Sequence, residues 1–159
     1  GMGGPLMEKI LTDSFEKVKT LKELILQPQS EIREFRRFLR QNGLTIAEER
    51  SELEDGKYYF AMRALLPGRE RILTSVQEDQ DLFDAYGEYL LKAKDPVLWE
   101  FLEKRLGVCD ELAQRLRFNL ERTDRSEEKE ADGRKRLQNR LFEVQRELSK
   151  IRRALEYFR

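Results

Sequence analysis

The sequence contains no histidine, and this absence removes the side chain that most often serves as a general base or metal ligand. Its single cysteine, Cys109, permits neither an internal disulfide nor a zinc site built from several cysteines. As a nucleophile Cys109 would lack the usual histidine partner, so we interpret it as a small residue packed on a helix. We therefore predict a protein without a bound metal.

The chain also lacks net charge and long apolar runs. Its 31 Lys and Arg residues balance 31 Asp and Glu residues, which argues against general binding of polyanions but leaves local basic patches open. No apolar run approaches the roughly 20 residues of a membrane span, and no basic-then-apolar leader opens the chain. We expect a cytoplasmic protein with no membrane contact. Charged residues make up 39% of the 159, a share that suits exposed helices and coiled coils.

The segment 21–43 predicts a strand, a polar turn and a helix. The apolar run Leu24–Leu26 is typical of a buried strand, and Gln27–Gln29 ends it because proline cannot donate a backbone hydrogen bond. A helix follows, with Ser30 as its N-cap and Gly43 as its stop. This order is half of a βαβ unit. Ligands of open α/β sheets lie at the carboxyl ends of strands, where Gln27–Gln29 falls.

An amphipathic helix is predicted before this segment and a β-hairpin after it. The helix runs from Pro5 to about Lys19. The hairpin pairs Leu44–Leu53 with Tyr58–Leu66 across the turn signal Asp55-Gly56. We attribute the carboxylates of this region to strand-edge solvation and turn chemistry rather than to acid–base catalysis. They are Glu48, Glu49, Glu52, Glu54 and Asp55.

The rest of the sequence is predicted to be helical from about Val76, with a break at Lys94–Pro96. Two seams of apolar residues at three- and four-residue steps predict an antiparallel coiled-coil hairpin. The first seam is Leu98, Leu102, Leu106, Cys109, Leu112, Leu116 and Leu120. The second is Leu137, Leu141, Val144, Leu148, Ile151, Leu155 and Phe158. We predict that the polar stretch Thr123–Gly133 connects the two helices, either as a loop or as a frayed tip.

Glycines and arginines supply the candidate binding residues. The opening Gly1–Gly4 could cradle a phosphate, although it lacks the Walker lysine, or could be a flexible terminus. Two basic clusters could either meet the phosphates of a nucleic acid or form solvated helix faces. The first is Arg33, Arg37 and Arg40, with Arg36 between them, and the second is Arg134, Lys135, Arg136 and Arg140.

Three stretches together resemble a known family. The opening GMGG, the segment ELILQPQSEIREFRRFL and the turn EDGKYY are similar to the second half of the bacterial tRNA adenine-N1 methyltransferases of the TrmK type. The stretch DLFDAYGEYLLKAKDPVLWEFL resembles the part of that family that leads into its C-terminal coiled coil. The resemblance implies a truncated Rossmann-like half-sheet of about three strands and two helices at 1–68. A linker and helix at 69–95 and an antiparallel helical coiled-coil hairpin at 96–159 would follow.

The same resemblance implies a site and a cofactor. Gly1, Met2, Gly3 and Gly4 would lie near the transferred methyl group of S-adenosylmethionine and the target adenine, beside Gln27, Pro28 and Gln29. Gln29 stands where many members carry asparagine. The family's glycine-rich cofactor loop and its acidic ribose-binding residue have no counterpart in this chain, so we expect the chain alone to be inactive. No catalytic base is assigned, because adenine N1 already carries a lone pair and methyl transfer needs chiefly orientation.

Two partners are expected. The resemblance implies tRNA, contacted by the basic clusters of the helices. A second copy of the chain is the other partner, because the open edge of the Leu24–Leu26 strand and the coiled coil could each pair with another molecule. The alternative function is non-enzymatic: a coiled-coil module for oligomerisation or RNA binding.

Overall fold

A three-stranded sheet organises the first half of the computed structural model, which describes residues 2–66, 79–122 and 128–159. The strands are β1 (Glu23–Leu26), β2 (Thr45–Glu54) and β3 (Lys57–Leu65), in the spatial order β1-β3-β2. The central β3 is antiparallel to both neighbours, so β1 and β2 run parallel to each other. The helix between them in sequence, α3 (Ile32–Gln41), completes a split βαβ unit.

The position of β1 differs from the prediction. We expected a buried strand, but β1 alternates between exposed and half-buried residues, and the side chain of Ile25 is 68% exposed. Leu24 and Leu26 pack against the core on one face of the sheet, so Ile25 must point to the other face. Among the described residues β1 pairs only with β3, and its second edge is open.

The predicted β-hairpin is confirmed, and a β-bulge within it decides which side chains face inward. The register jumps between Ile46 and Glu48, so Ala47 is the extra residue. Before the bulge Ile46 lies opposite Ala64, and after it Glu49 lies opposite Met62. Since Met62 and Ala64 are fully buried, the bulge turns the odd-numbered Glu49 onto the inner face.

Three helices cover the core face of this sheet. One N-terminal helix is predicted, but the structure has two, α1 (Gly4–Asp13) and α2 (Phe15–Val18), because the helical conformation is interrupted at Ser14. Helix α3 packs its apolar face into the core, where Phe35 and Leu39 are fully buried. The core of this region also holds Leu11, Val18, Leu44, Met62, Ala64 and Leu66.

The two ends of α3 differ in how well the sequence predicts them. Ser30 is not its N-cap, because Glu31 occupies that position with φ 52° and no side-chain cap is formed. The predicted stop at Gly43 is confirmed. Gly43 has φ 76°, its N–H donates to the carbonyl of Arg40, and the N–H of Leu44 donates to that of Leu39 at 2.9 Å. This is the Schellman arrangement, which a residue without Cβ adopts with least strain.

Two short helices lead to the long ones. They are α4 (Gln80–Tyr86) and α5 (Glu88–Lys92), separated by Gly87, whose φ of 86° breaks the continuous helix that we predicted. Asp95 then begins the next helix: its carboxylate accepts the N–H of Leu98 at 2.8 Å and the hydroxyl of Ser51 in β2. The predicted helix start at Val76 lies outside the described residues, as do Pro67 and Gly68, which follow the second hairpin strand in sequence.

The chain divides into two compact units, residues 1–98 and 99–159. Most of α6 (Pro96–Arg122) and all of α7 (Glu128–Glu156) belong to the second unit. They run antiparallel, since Arg105 early in α6 pairs with Glu147 late in α7 at 2.6 Å, whereas Arg134 early in α7 donates to the carbonyl of Leu120 late in α6 at 2.9 Å. The predicted helical hairpin is confirmed in this respect.

The seams of the hairpin follow the prediction in part. The buried residues include Cys109, Ala113 and Leu116 of α6 and Val144, Leu148, Ile151 and Ala154 of α7. Ala154 thus takes the inward place that we gave to Leu155, which is half-buried. The predicted loop is too long: 128–133 are helical, and 123–127 lie outside the described residues.

Cys109 is buried as predicted, and burial together with the nearby Glu147 raises the pKa of its thiol. In the described ranges no group of three or more Cys, Asp and Glu side chains could hold a metal ion. None of the helices in those ranges combines the length and apolarity that a membrane crossing requires.

Candidate functional site

The two loops singled out in the sequence lie side by side. The N–H of Gln29 donates to the carbonyl of Met2 at 3.0 Å, and the N–H of Gly4 donates to the carbonyl of Ser30 at 3.0 Å. Segments 26 and 27 positions apart in sequence are thereby joined through their backbones at the carboxyl end of β1. Gly1 lies outside the described residues. We call Met2–Gly4 with Gln27–Ser30 the paired loops.

Close backbone approach explains the glycines of the paired loops. A Cβ on Gly3 would lie 2.6 Å from the hydroxyl oxygen of Ser30, and one on Gly4 would lie 2.8 Å from the Ser30 carbonyl and 3.3 Å from that of Glu31. The second position is the stricter one, because a backbone carbonyl cannot swing aside as a side chain can. The glycines therefore allow contact between the loops. Pro28 is fully buried, and its ring restricts the backbone of the second loop.

The paired loops leave polar groups at the surface. The side chains of Gln27 and Gln29 are exposed, and their amides can both donate and accept hydrogen bonds. Helix α1 begins at Gly4 and helix α3 at Ile32, so two helix N-termini adjoin the loops. Both place partial positive charge there. The arrangement suits a ligand with hydrogen-bonding edges or negative charge.

The predicted RNA-binding arginines of α3 lie against α4. Arg37 and Arg40 both donate to the carboxylate of Asp84, at 3.3 and 2.8 Å, while Arg33 and Arg37 approach Asp81 at 3.8 and 3.5 Å. Each of these arginine side chains remains more than a third exposed. They hold two helices together, a role that the sequence did not indicate. Contact with RNA stays a prediction for them.

A buried ion pair lies next to this arginine cluster. The Nε of Arg36 donates to Glu49 at 2.8 Å, and its terminal nitrogen donates to the carbonyls of Asp84 and Ala85 at 3.2 and 3.0 Å. Arg36 also lies over the ring of Phe60, 5.7 Å from its centroid. Helix α3, strand β2 and helix α4 therefore meet at one guanidinium.

Solvation of the strand edge is the wrong interpretation for Glu49, whose exposure is only 2%. Burial raises the pKa of Glu49, and the Arg36 guanidinium opposes that rise. The bulge at Ala47, which the sequence analysis did not include, turns Glu49 inward. A bulge in a regular alternating strand has no reliable sequence signal when no glycine marks it.

The second predicted basic cluster lies at the start of α7, within the second unit. Arg134 donates to the carbonyl of Leu120, Arg136 pairs with Asp132 at 2.8 Å, and Arg140 pairs with Glu143 at 2.9 Å. Lys135 is exposed. The cluster thus belongs to the second compact unit, residues 99–159, whereas the paired loops belong to the first.

Comparison with known proteins identifies the family. A family described as "TrmK: tRNA (adenine(22)-N(1))-methyltransferase" matches residues 1–147. The chain belongs to the TrmK family. This match confirms the family resemblance that we inferred from the GMGG and QPQS segments and the hairpin turn. No match was found among curated proteins.

Solved structures share the fold of this TrmK-family chain. An uncharacterized protein from Listeria monocytogenes serotype 4b is 22% identical, with a TM-score of 0.74 over 98% of this chain and 60% of that one. A Streptococcus agalactiae protein in the NADB-Rossmann superfamily is 24% identical, with a TM-score of 0.57 over 93% and 57%. M. capricolum TrmK, solved with the cofactor product S-adenosyl-homocysteine, is 17% identical, with a TM-score of 0.64 over 100% and 58%.

These likenesses confirm the predicted fold class, a partial Rossmann-like α/β layer followed by a helical part. The chain spans about 60% of the length of these structures. Family members therefore contain a further segment of fold that has no counterpart in the 159 residues.

Proposed function

We propose that this chain is the C-terminal portion of an S-adenosylmethionine-dependent tRNA adenine-N1 methyltransferase. The paired loops would form one side of the pocket for the adenine and the cofactor, and the helical hairpin would position the tRNA. The observation that carries the proposal is the backbone pairing of Met2–Gly4 with Gln27–Ser30 at the carboxyl end of β1, in a chain of the TrmK family.

The paired loops could supply only one wall of a pocket for S-adenosylmethionine. S-adenosylmethionine, when bound, supplies an electrophilic methyl group. The exposed amides of Gln27 and Gln29 can orient the polar edge of a base, and the adjoining helix N-termini can face an anionic group. Gly3 and Gly4, however, are explained by contact with Ser30 and not by space for a ligand. The remaining walls would have to come from fold that the longer family members contain.

No general base is needed in this proposal. Adenine N1 attacks with its own lone pair, so the chain's contribution is to hold the base in position and to exclude competing orientations. Arginine–aspartate contacts between α3 and α4 stabilise the helix that follows the second loop. Gln27 and Gln29 are thus the side chains that we assign to orientation.

Calorimetric titration tests the cofactor part of the proposal. We expect the 159-residue polypeptide to show no saturable binding of S-adenosylmethionine at about 1 mM ligand, since one wall of a pocket leaves most of the ligand in water. A micromolar dissociation constant would show that the chain completes the pocket by itself, and the proposed inactivity would then be wrong. S-adenosyl-homocysteine should behave in the same way and serves as the second ligand.

We further propose that the chain forms a homodimer through the open edge of β1. Among the described residues that strand pairs on one edge only, and the other edge, beside the exposed Ile25, favours addition of a strand from another copy. Sedimentation at tens of micromolar should give a dimer, and Ile25→Lys should shift it toward monomer. A strictly monomeric parent chain contradicts the proposal. A dimer that Ile25→Lys leaves intact would instead favour association through the helical hairpin.

A further inference from the structure

A cavity of about 310 Å³ lies where α1, α2 and the last turn of α3 meet. Its buried lining consists of Leu11, Val18 and Leu44, which also border the core. The paired loops adjoin the first residues of α1 and α3, whereas this cavity adjoins the last turns of the same two helices. It is therefore separate from the candidate site. We call it the helix-end cavity.

Two phenylalanine rings line the helix-end cavity. Phe15 of α2 is 39% exposed, and Phe38 of α3 is half-buried. Phe38 stacks on the fully buried Phe35, with 6.2 Å between the ring centroids and 19° between the ring planes. This contact fixes Phe38 to the core, so one aromatic wall of the cavity is already in place. Aromatic walls favour a flat aromatic ligand.

The polar lining of the cavity offers acceptors. Thr12 and Asn42 are both exposed, and each donates to a carbonyl of its own helix at 2.8 Å, Thr12 to Glu8 and Asn42 to Phe38. The hydroxyl proton of Thr12 is thus engaged, while the side-chain oxygens of Thr12 and Asn42 keep acceptor capacity. Both residues lie at helix C-termini, where the partial charge is negative. The cavity therefore favours a ligand that donates a hydrogen bond.

The volume and the lining restrict the ligand further. An apolar cavity of about 150 Å³ holds one benzene ring, so the helix-end cavity, at about 310 Å³, has room for two fused rings. A purine carries polar atoms around both rings, and the five apolar side chains of the lining would leave most of them without a hydrogen bond. A fatty acid would bring its carboxylate to the negative helix ends. A bicyclic ring with a single polar edge avoids both costs.

We infer that the helix-end cavity binds a neutral bicyclic aromatic molecule with one N–H donor, a ligand of the indole class. The rings pack against Phe15 and Phe38, and the N–H donates to the side-chain oxygen of Thr12 or Asn42. This inference goes beyond the proposed function and does not depend on it. It assigns a second binding site to the helices that carry the paired loops.

Calorimetric titration of the 159-residue chain with indole tests the inference. We expect saturable binding with a dissociation constant below about 1 mM, as suits a ligand of this size. The matched ligand is 1-methylindole, which keeps both rings and lacks the N–H donor. It should bind about fivefold more weakly, the effect of losing one hydrogen bond.

A pair of threonine variants locates the binding site. Thr12→Tyr places a ring at the cavity and should weaken indole binding at least about tenfold. Thr20 is the matched control, since it is also exposed, donates to the carbonyl of Lys17 at 2.7 Å and lies outside the lining. Thr20→Tyr should leave the dissociation constant within about twofold. Phe15→Ala, which removes a partly exposed wall without adding volume, should weaken binding about fivefold.

Circular dichroism of each variant confirms that it is folded before binding is compared. The absence of saturable indole binding up to about 3 mM would overturn the inference. Binding that Thr12→Tyr and Phe15→Ala both leave unchanged would lie elsewhere on the chain and would overturn it as well. Equal affinities for indole and 1-methylindole would overturn the assigned ligand class. None of these results bears on S-adenosylmethionine, so the proposed function stands or falls separately.

Discussion

Replacing Glu49 by alanine is expected to lower the free energy of unfolding by about 3–5 kcal/mol. The substitution removes the carboxylate that accepts from Arg36 at 2.8 Å and leaves that guanidinium buried beside the Phe60 ring without its charge partner. Urea denaturation followed by circular dichroism measures the change. A loss below about 1 kcal/mol would show that the pair does not hold β2 to α3.

Three further variants separate charge from packing at this site. Glu49→Gln keeps the shape of the side chain and a hydrogen-bond acceptor. Because burial raises the pKa of Glu49 and so disfavours its charged form, Glu49→Gln should lower the free energy of unfolding less than Glu49→Ala does. Arg36→Met combined with Glu49→Met should restore much of the stability, because neither charge is then left buried alone. Arg50→Ala, which removes an exposed contact with Glu48, should change the unfolding free energy by less than about 1 kcal/mol.

Gly87→Ala is expected to have the second-largest effect and to lower the free energy of unfolding by about 3 kcal/mol or more. Gly87 has φ 86°, a conformation that costs an L-residue about 1–3 kcal/mol. A Cβ there would also overlap Oε2 of Glu49 and would lie 2.9 Å from its Cδ. Glu49 cannot move aside easily, because it is buried and bonded to Arg36.

Two glycines supply the controls for Gly87→Ala in the same denaturation experiment. Gly56 has φ 75° and open space around an added Cβ, so Gly56→Ala should cost only about 1–2 kcal/mol. Gly107 lies inside α6, also with open space, and Gly107→Ala should stabilise the chain by up to about 1 kcal/mol. If Gly87→Ala and Gly56→Ala lower the free energy of unfolding equally, the close approach of Glu49 to Gly87 adds nothing to the cost of the substitution.

Local signals in the sequence were sufficient for the types of most elements. The apolar steps along α6 and α7 predicted two long helices, Gly43 predicted the end of α3, and Asp55-Gly56 predicted the hairpin. The family could also be recognised, because the GMGG and QPQS loops and the hairpin turn follow one another in a specific order. Each of these features depends on residues close together in the chain.

Misplaced boundaries have equally local causes. The connection predicted at 123–133 is helical from Glu128, because Glu, Lys and Ala favour a helix and one glycine lowers helix propensity without preventing a helix that continues into a packed seam. Gly87 separates α4 from α5 at a position where the apolar pattern of a single helix continues. Periodicity reports which side chains are apolar, and it does not report a single residue with positive φ.

The sequence by itself therefore determined the order of the elements, the family, and the two loops that form the candidate site. Only the tertiary structure decided that these loops touch, that Ile25 is exposed, and that Glu49 is buried with Arg36. The physical reason is the range of the interactions. Helix and turn formation depend on neighbours within a few residues, whereas strand order, a bulge that reverses inward and outward faces, and a buried ion pair depend on partners far away in the chain.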